Sequence, residues 1–302
     1  MRAARLAEVR AKASAAAIPA VSPWRLRWRV IRRRPVVIAG AALIALLGVG
    51  ALAAPVLAPV GPQKMSITDR LRPPSDAHPL GTDDFGRDVS SRVLYGVRLS
   101  LAIGAAVVVV SSGLGLPAGL VAGYVPRLDN PIMRVMDALM AFPAVILAIA
   151  LMAALGPSAT NVVVALGVVY APRMARVVRG SVLVVGQFEY VTAARALGLA
   201  DRSIMVRHVL PNCLSPAVVQ GTFTFAYAVL GEALLSFLGT GVPPYVPSLG
   251  TVLAGGRVYM GQAPWITIFP GLAIMMLVIG LNLVGDGLRD VLDPRLVRAG
   301  SA

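Results

Sequence analysis

Six long apolar stretches, separated by polar segments, dominate the hydrophobic pattern of this chain. The first, residues 36–57, carries no charge. It is close to the ~20 apolar residues that span a hydrocarbon core. Five more follow at about 99–124, 132–155, 160–178, 216–238 and 265–284. The pattern predicts an all-α membrane protein with six transmembrane helices. In the second stretch Gly115, Gly119 and Gly123 form two overlapping GxxxG repeats, which let a neighbouring helix approach closely. Pro117 lies among them and predicts a kink. The third starts behind Asn130-Pro131, with Asp137 at the interface, and a short Gly156-Pro157 turn leads into the fourth. The fourth is the least sharply bounded, because Pro172, Arg173 and Arg176 fall near its end.

Composition agrees with the pattern. Of 302 residues 57% are hydrophobic and 14% charged, where soluble domains carry about 25% charged residues; mean hydropathy is +0.77. The net charge of +14 would suit nucleic acid if the basic residues formed a patch on a soluble domain. They lie between apolar runs instead, so no nucleic-acid partner is expected. Cys213 is the single cysteine, which excludes an intrachain disulfide and a cysteine metal cluster, and two histidines leave little for a metal site. Ala51-Leu52-Ala53 loosely fits a signal-cleavage site, but the apolar run before it exceeds the ~7–15 residues of a signal core. Six spans put both termini on one side. That side holds 21 of the 28 Lys and Arg residues, which predicts cytoplasmic N- and C-termini.

The predicted organisation is an Arg-rich cytoplasmic tail (1–35), a first transmembrane helix with an extracytoplasmic loop (36–98), a five-helix core (99–284) and a cytoplasmic tail (285–302). Within the core, the longest cytoplasmic loop (186–212) is charged and helix-forming. Ala193, Ala194 and Leu197 favour helix, Gly198 suits the left-handed residue that ends one, and Asp201 is a good N-cap for the next. Two short helices joined by a tight turn are expected, and helices that short need tertiary packing. The pattern leaves two readings, a connector lying on lipid headgroups and a docking element for a cytoplasmic protein. A DNA-reading helix-turn-helix conflicts with tethering at both ends to membrane spans.

Three strings then carry a family resemblance. Glu189, Ala193 or Ala194, Gly198, Arg207, His208, Pro211 and Asn212 match the cytoplasmic signature of binding-protein-dependent ABC importer permeases. His78-Pro79-Leu80-Gly81-Thr82-Asp83-Asp84-Phe85-Gly86-Arg87-Asp88, followed by Ser91-Arg92-Val93-Leu94-Tyr95-Gly96, matches the dipeptide, oligopeptide and nickel class. Gly285-Asp286-Gly287-Leu288-Arg289-Asp290, then Asp293-Pro294-Arg295, resembles the tail of the C-type subunit. Phe85 departs from the leucine frequent in the family, and residues 1–24 fall outside the resemblance.

The resemblance implies the type I ABC importer permease fold and a pathway-forming subunit that imports di- or oligopeptides. A second, B-type permease subunit, two ATP-binding subunits that hold ATP and Mg, and an extracytoplasmic substrate-binding protein would complete it. The coupling set would be Glu189, Ala193, Ala194, Gly198, Asp201, Ile204, Arg207, His208, Pro211 and Asn212. No Gly-x-x-x-x-Gly-Lys-Ser/Thr phosphate loop occurs, so hydrolysis is expected in partner subunits and this chain is not an enzyme. A nickel or other small-solute importer of the same class is the nearest alternative. An ion-coupled secondary transporter would show internal repeats or mid-membrane charges, of which the spans offer little beyond Glu232.

Glu232, an ionisable residue inside a span, is a candidate for pathway or substrate contact, with structural pairing and exposure to an aqueous path left open beside it. The Gly, Pro and Asp content of the His78–Asp88 string favours a folded loop that receives the binding protein over a substrate site. Local ion pairing is expected of Asp286, Asp290 and Asp293 with Arg289 and Arg295, a hydrogen-bonding role of His208, and no chemistry of Cys213.

Overall fold

In a computed structural model the described residues are 35–58 and 60–292. The Arg-rich tail and the Asp293-Pro294-Arg295 match lie outside them. Among the described residues the chain is helical, with one isolated antiparallel bridge between Thr82 and Asp88. The helices are α1 (Pro35–Leu52), α2 (Val89–Tyr124), α3 (Pro126–Met140), α4 (Ala144–Leu155), α5 (Ala159–Val185), α6 (Glu189–Ala196), α7 (Asp201–Phe237), α8 (Leu249–Gly256) and α9 (Trp265–Leu292). Helices α1, α2, α5, α7 and α9 are long and apolar enough to cross a membrane. The α3–α4 pair, bent by 90°, makes a sixth if taken as one broken span.

Four boundaries differ from the sequence expectation, each for a local reason. Helix α2 begins at Val89 rather than near residue 99, because Asp88 caps it: its Oδ2 accepts from the Ser91 N–H at 2.7 Å. The expected third span is two helices, broken at Pro143. The residue before a proline avoids helical geometry, and Pro143 itself sits at φ −53°, ψ 129°. Helix α5 runs through Pro172, Arg173 and Arg176 to Val185, capped at its start by Ser158. Helix α7 continues from Asp201 into the fifth span, so the second of the two expected short helices is the first part of a longer one.

The glycine stripe explains the central pairing. A Cβ at Gly115 would lie 2.5 Å from the Ala171 carbonyl oxygen, and one at Gly123 2.7 Å from Val182 Cβ. A Cβ at Gly119 would run into the Ala175 carbonyl oxygen. Positions rise together on both helices, so α2 and α5 lie parallel and in close backbone contact, as GxxxG stripes allow. Helix α2 continues through Pro117. Helix α1 packs antiparallel on α9 through Gly40 against Leu283 and Gly280, leaving most of its apolar surface outward. Helix α4 adds Ala148 and Met152 to a core shared with Val107 of α2, Leu166 of α5 and Leu235 of α7. Amphipathic α3 buries no side chain and is held to α5 by ion pairs, Asp129 with Arg179 (2.5 and 2.6 Å) and Asp137 with Arg176 (2.6 Å).

The His78–Asp88 string folds as a compact cap at one end of the bundle. Asp83 Oδ1 accepts from the N–H groups of Phe85 and Arg87, both at 2.9 Å, and its Oδ2 accepts from Arg87 Nε at 2.7 Å. Asp88 also bonds Ser90 and, through Oδ1, His78 Nδ1 at 3.0 Å. Trp265 Nε1, at the start of α9, donates to the Thr82 carbonyl at 3.1 Å. The carboxylates of Asp83 and Asp88 are therefore engaged in hydrogen bonds within the cap. Residues 189–212 occupy the opposite end.

Candidate functional site

Helix α6 is short, with Phe188 as an N-cap that makes no side-chain cap hydrogen bond. Glu189 sits in the first turn and Arg195 in the last, each complementing the helix dipole. The helix closes with a Schellman motif: Leu199 N–H donates to the Ala194 carbonyl (3.2 Å) and Gly198 N–H to the Arg195 carbonyl (2.9 Å). Gly198 has φ +77°, the left-handed conformation that glycine adopts without a Cβ penalty. Val191 and Ala194, three apart, bury one face.

After the turn, Ala200 is the N-cap of α7, not Asp201. Asp201 lies in the first turn, and its Oδ1 accepts from Tyr124 Oη at 2.8 Å. The side chain ties the end of α2 to the start of α7 instead of closing its own helix. Residues Met205–Val209 form a π-turn, with Leu210 N–H donating to the Met205 carbonyl five residues back. Pro211, which has no N–H, follows directly. The extra residue sets the buried stripe: Ile204 and Val209 are five apart, Cys213 and Ala217 follow at intervals of four, and all four are buried in one cluster with Val178, Val182 and Val191. Asn212 Nδ2 donates to the His208 carbonyl at 2.7 Å, supplying a partner in the region the π-turn and proline disturb, and to Tyr190 Oη at 3.1 Å.

The expected coupling residues therefore divide in two. Ala194 and Ile204 are buried and hold the element to the spans. Glu189, Ala193, Gly198, Asp201, Arg207, Pro211 and Asn212 are exposed. The half-buried His208 ring packs beside Tyr190, with centroids 6.5 Å apart, and its Nδ1 has no hydrogen-bond partner. The His208 backbone carbonyl accepts from Asn212 Nδ2. The expected coupling set leaves out Leu197, 80% exposed at the tip, and its neighbour Leu199. Apolar residues on both sides of a turn glycine were the available signal. The set also leaves out Tyr124, whose ring lies 5.6 Å from the Arg195 guanidinium. The arrangement offers an apolar tip with a charged rim, held rigidly from behind.

Glu232 is fully buried. Its Oε2 accepts from Ser100 Oγ of α2 (2.8 Å) and its Oε1 from Ser236 Oγ one turn on (2.9 Å). Ser236 Oγ also accepts from the Val242 N–H at 3.1 Å, so the carboxylate is the hub of a latch joining α2, α7 and the loop into α8. Cys213 is a buried free thiol packed as a small apolar residue. Among the described residues no group of His, Cys, Asp and Glu could hold a metal ion.

Comparison with known proteins gives a consistent result. Residues 115–298 match the model described as "Binding-protein-dependent transport system inner membrane component", and residues 22–74 that of the "N-terminal TM domain of oligopeptide transport permease C". A protein of Brucella suis provisionally described as a peptide transport system permease is 51% identical over 268 residues, 89% of this chain and 90% of that one. The dipeptide transport system permease protein of Alkalihalophilus pseudofirmus is 41% identical over 278 residues, 92% of this chain and 91% of that protein. The glutathione transport system permease protein of Pectobacterium atrosepticum is 42% identical over 295 residues, 95% and 98% respectively. Among solved structures, the MetNI methionine ABC transporter in an inward-facing conformation shares the fold at TM-score 0.56 and 22% identity, covering 69% of this chain and 95% of that one.

Proposed function

Because the chain belongs to the family of binding-protein-dependent transport system inner membrane components, we propose that it is the C-type permease subunit of an ATP-driven importer of di- or oligopeptides. It forms the pathway with a B-type permease, two ATP-binding subunits dock at the Gly198 end, and an extracytoplasmic binding protein delivers substrate at the His78 end. The Lys and Arg bias supports a cytoplasmic side for the Gly198 end and both termini. The peptide class follows the relatives named for peptides, dipeptides and glutathione.

The observation that carries the reading is the build of residues 189–212. Val191, Ala194, Ile204 and Val209 anchor the element to α5 and α7, while Leu197 and Leu199 stand exposed on either side of the Gly198 turn. An apolar tip on a rigid base suits insertion into a groove on an ATPase, and movement of that groove is passed to the spans through the buried side. Glu189, Arg207 and Asp201 supply charges around the tip.

The test is affinity purification of the tagged chain from mild detergent, with uptake of dialanine and of nickel measured in cells carrying the whole transporter. Recovery of a second permease and ATPases with dialanine uptake supports the reading. Nickel uptake without dialanine uptake moves the substrate to the alternative class. Recovery of the chain alone sinks the subunit reading.

A further inference from the structure

At the His78 end, a cavity of about 510 Å³ opens between the folded cap and the end of α7. Arg87, Arg92, Arg257, Asp84, Phe237 and Tyr245 are among its lining residues. Arg92, in the first turn of α2, is only 1% exposed, yet its Nε and Nη1 have no hydrogen-bond partner. The nearest carboxylate oxygen, Asp83 Oδ2, stands 3.7 Å from Nη1, beyond hydrogen-bonding range. Asp83 is also occupied, since its two oxygens already accept from Phe85 N–H, Arg87 N–H and Arg87 Nε. A buried guanidinium with two unmade bonds is costly unless an anion completes it.

The charge around the cavity points the same way. Arg87, Arg92 and Arg257 line the cavity with Asp84, and counting Asp83, which pairs with Arg87 outside the lining, still leaves one positive charge over. Burial, then the neighbouring Asp83, pushes the Asp84 carboxyl above its ordinary value, and Asp83 and Asp84 act on Arg92 through space without filling its Nε and Nη1 hydrogen bonds. Arg257 is exposed at the rim over the Phe237 ring, 6.0 Å from its centroid, and Tyr245 is 65% exposed. Apolar aromatic walls with a few convergent charges, at a volume between about 300 and 1,000 Å³, describe a small-ligand pocket.

We propose that this cavity is a carboxylate-binding subsite, anchored by Arg92, that takes the C-terminal carboxylate of a short peptide before the peptide enters the pathway. The proposal rests on the peptide-importer reading and adds to it a specific site on the permease. A guanidinium is suited to a carboxylate because its planar fork matches the two oxygens. The cavity wall is also linked to the latch, since Ser236 lines the cavity and donates to Glu232. An occupied subsite therefore contacts the same helix that reaches residues 201–212.

The test uses the assembled transporter in nanodiscs with no binding protein, titrated with dialanine and with dialanine amide by calorimetry and saturation-transfer NMR. Dialanine is expected to bind at least about 10-fold more tightly than the amide. Arg92→Gln should remove that preference, and Arg257→Gln, at the exposed rim, should weaken dialanine binding about 3-fold with unchanged thermal stability. Equal binding of acid and amide by the unmodified transporter overturns the proposal, even if Arg92→Gln misfolds. So does a dialanine preference that survives Arg92→Gln. Loss of binding-protein affinity in Arg92→Gln, with no dialanine bound by the parent, assigns Arg92 to a protein carboxylate and also overturns it. Dialanine uptake in cells separates the two readings: uptake with equal acid and amide binding removes the subsite alone, whereas acid preference without uptake removes the peptide-importer reading alone.

Discussion

The Tyr124 hydroxyl donates to Asp201 Oδ1 at 2.8 Å, joining the last residue of α2 to the first of α7. Asp201 is exposed and Tyr124 half-buried, so the bond contributes only about 0.5–1.5 kcal/mol to stability. Its importance lies in position, because Arg195 of α6 lies against the same tyrosine ring. Tyr124→Phe should leave chain levels normal while lowering peptide-stimulated ATP hydrolysis by the assembled transporter. A double-mutant cycle with Asp201→Asn should show the two changes to be non-additive. Additive effects would mean that the bond links nothing.

Gly198→Val should abolish peptide uptake and leave membrane insertion intact. A β-branched residue at φ +77° costs about 1–2 kcal/mol and breaks the Schellman closure, which redirects Leu197 and Leu199. Uptake and ATPase co-purification measured on the same membranes check this. Normal uptake would remove the turn from the coupling element.

Exposed Glu189 lies at the start of α6, so Glu189→Ala should disturb contact with a partner more than the fold. The expected result is weaker ATPase co-purification, or ATP hydrolysis that no longer tracks transport, with loss of about 0.3–1 kcal/mol of local helix stability. No change in either readout would take Glu189 out of the coupling set.

Along α2, Gly119→Val should fail where Gly113→Val is tolerated. A Cβ at Gly119 meets the Ala175 backbone, whereas one at Gly113 meets nothing within 4 Å. Overpacking of this kind costs about 1–3 kcal/mol or more. Fluorescence-detected size-exclusion melts in detergent give the comparison, and equal melting temperatures would refute the close α2–α5 contact.

Glu232→Ala should destabilise the chain by about 2–5 kcal/mol, because it leaves Ser100 and Ser236 without an acceptor and opens a cavity. Glu232→Gln keeps the volume and one acceptor oxygen and should lose much less. Transport retained by Glu232→Gln would make the residue a structural latch, while transport lost from a stable Glu232→Gln protein would return it to the pathway.

The sequence was informative where a feature is local. Apolar run length located the membrane-crossing helices, the GxxxG spacing marked the face of α2 that a neighbouring helix approaches closely, and Gly198 takes the left-handed conformation expected of it. Features set by tertiary contact were hidden. Nothing in the 132–155 run except Pro143 signals a 90° turn, since the apolar pattern continues across it. Asp201 reads as an N-cap because its composition suits one, but a tyrosine 77 positions away claims its side chain. The continuity of α7 was obscured because the charged 201–209 segment and Pro211 resemble a loop. The π-turn absorbs the proline by adding one residue to the register.

Helix α2 has 36 residues and so measures about 54 Å. Asp88 fixes one end within the His78 cap, and Tyr124 is gripped at the other by Asp201 and Arg195. Close contact with α5 stiffens its second half. Such a member behaves as a push-rod: a displacement imposed by a docked protein at one face has little slack to disappear into and re-emerges at the other. In the proposed assembly the chain would thus provide a mechanical route by which arrival of cargo at the His78 end and nucleotide turnover at the Gly198 end are timed to each other.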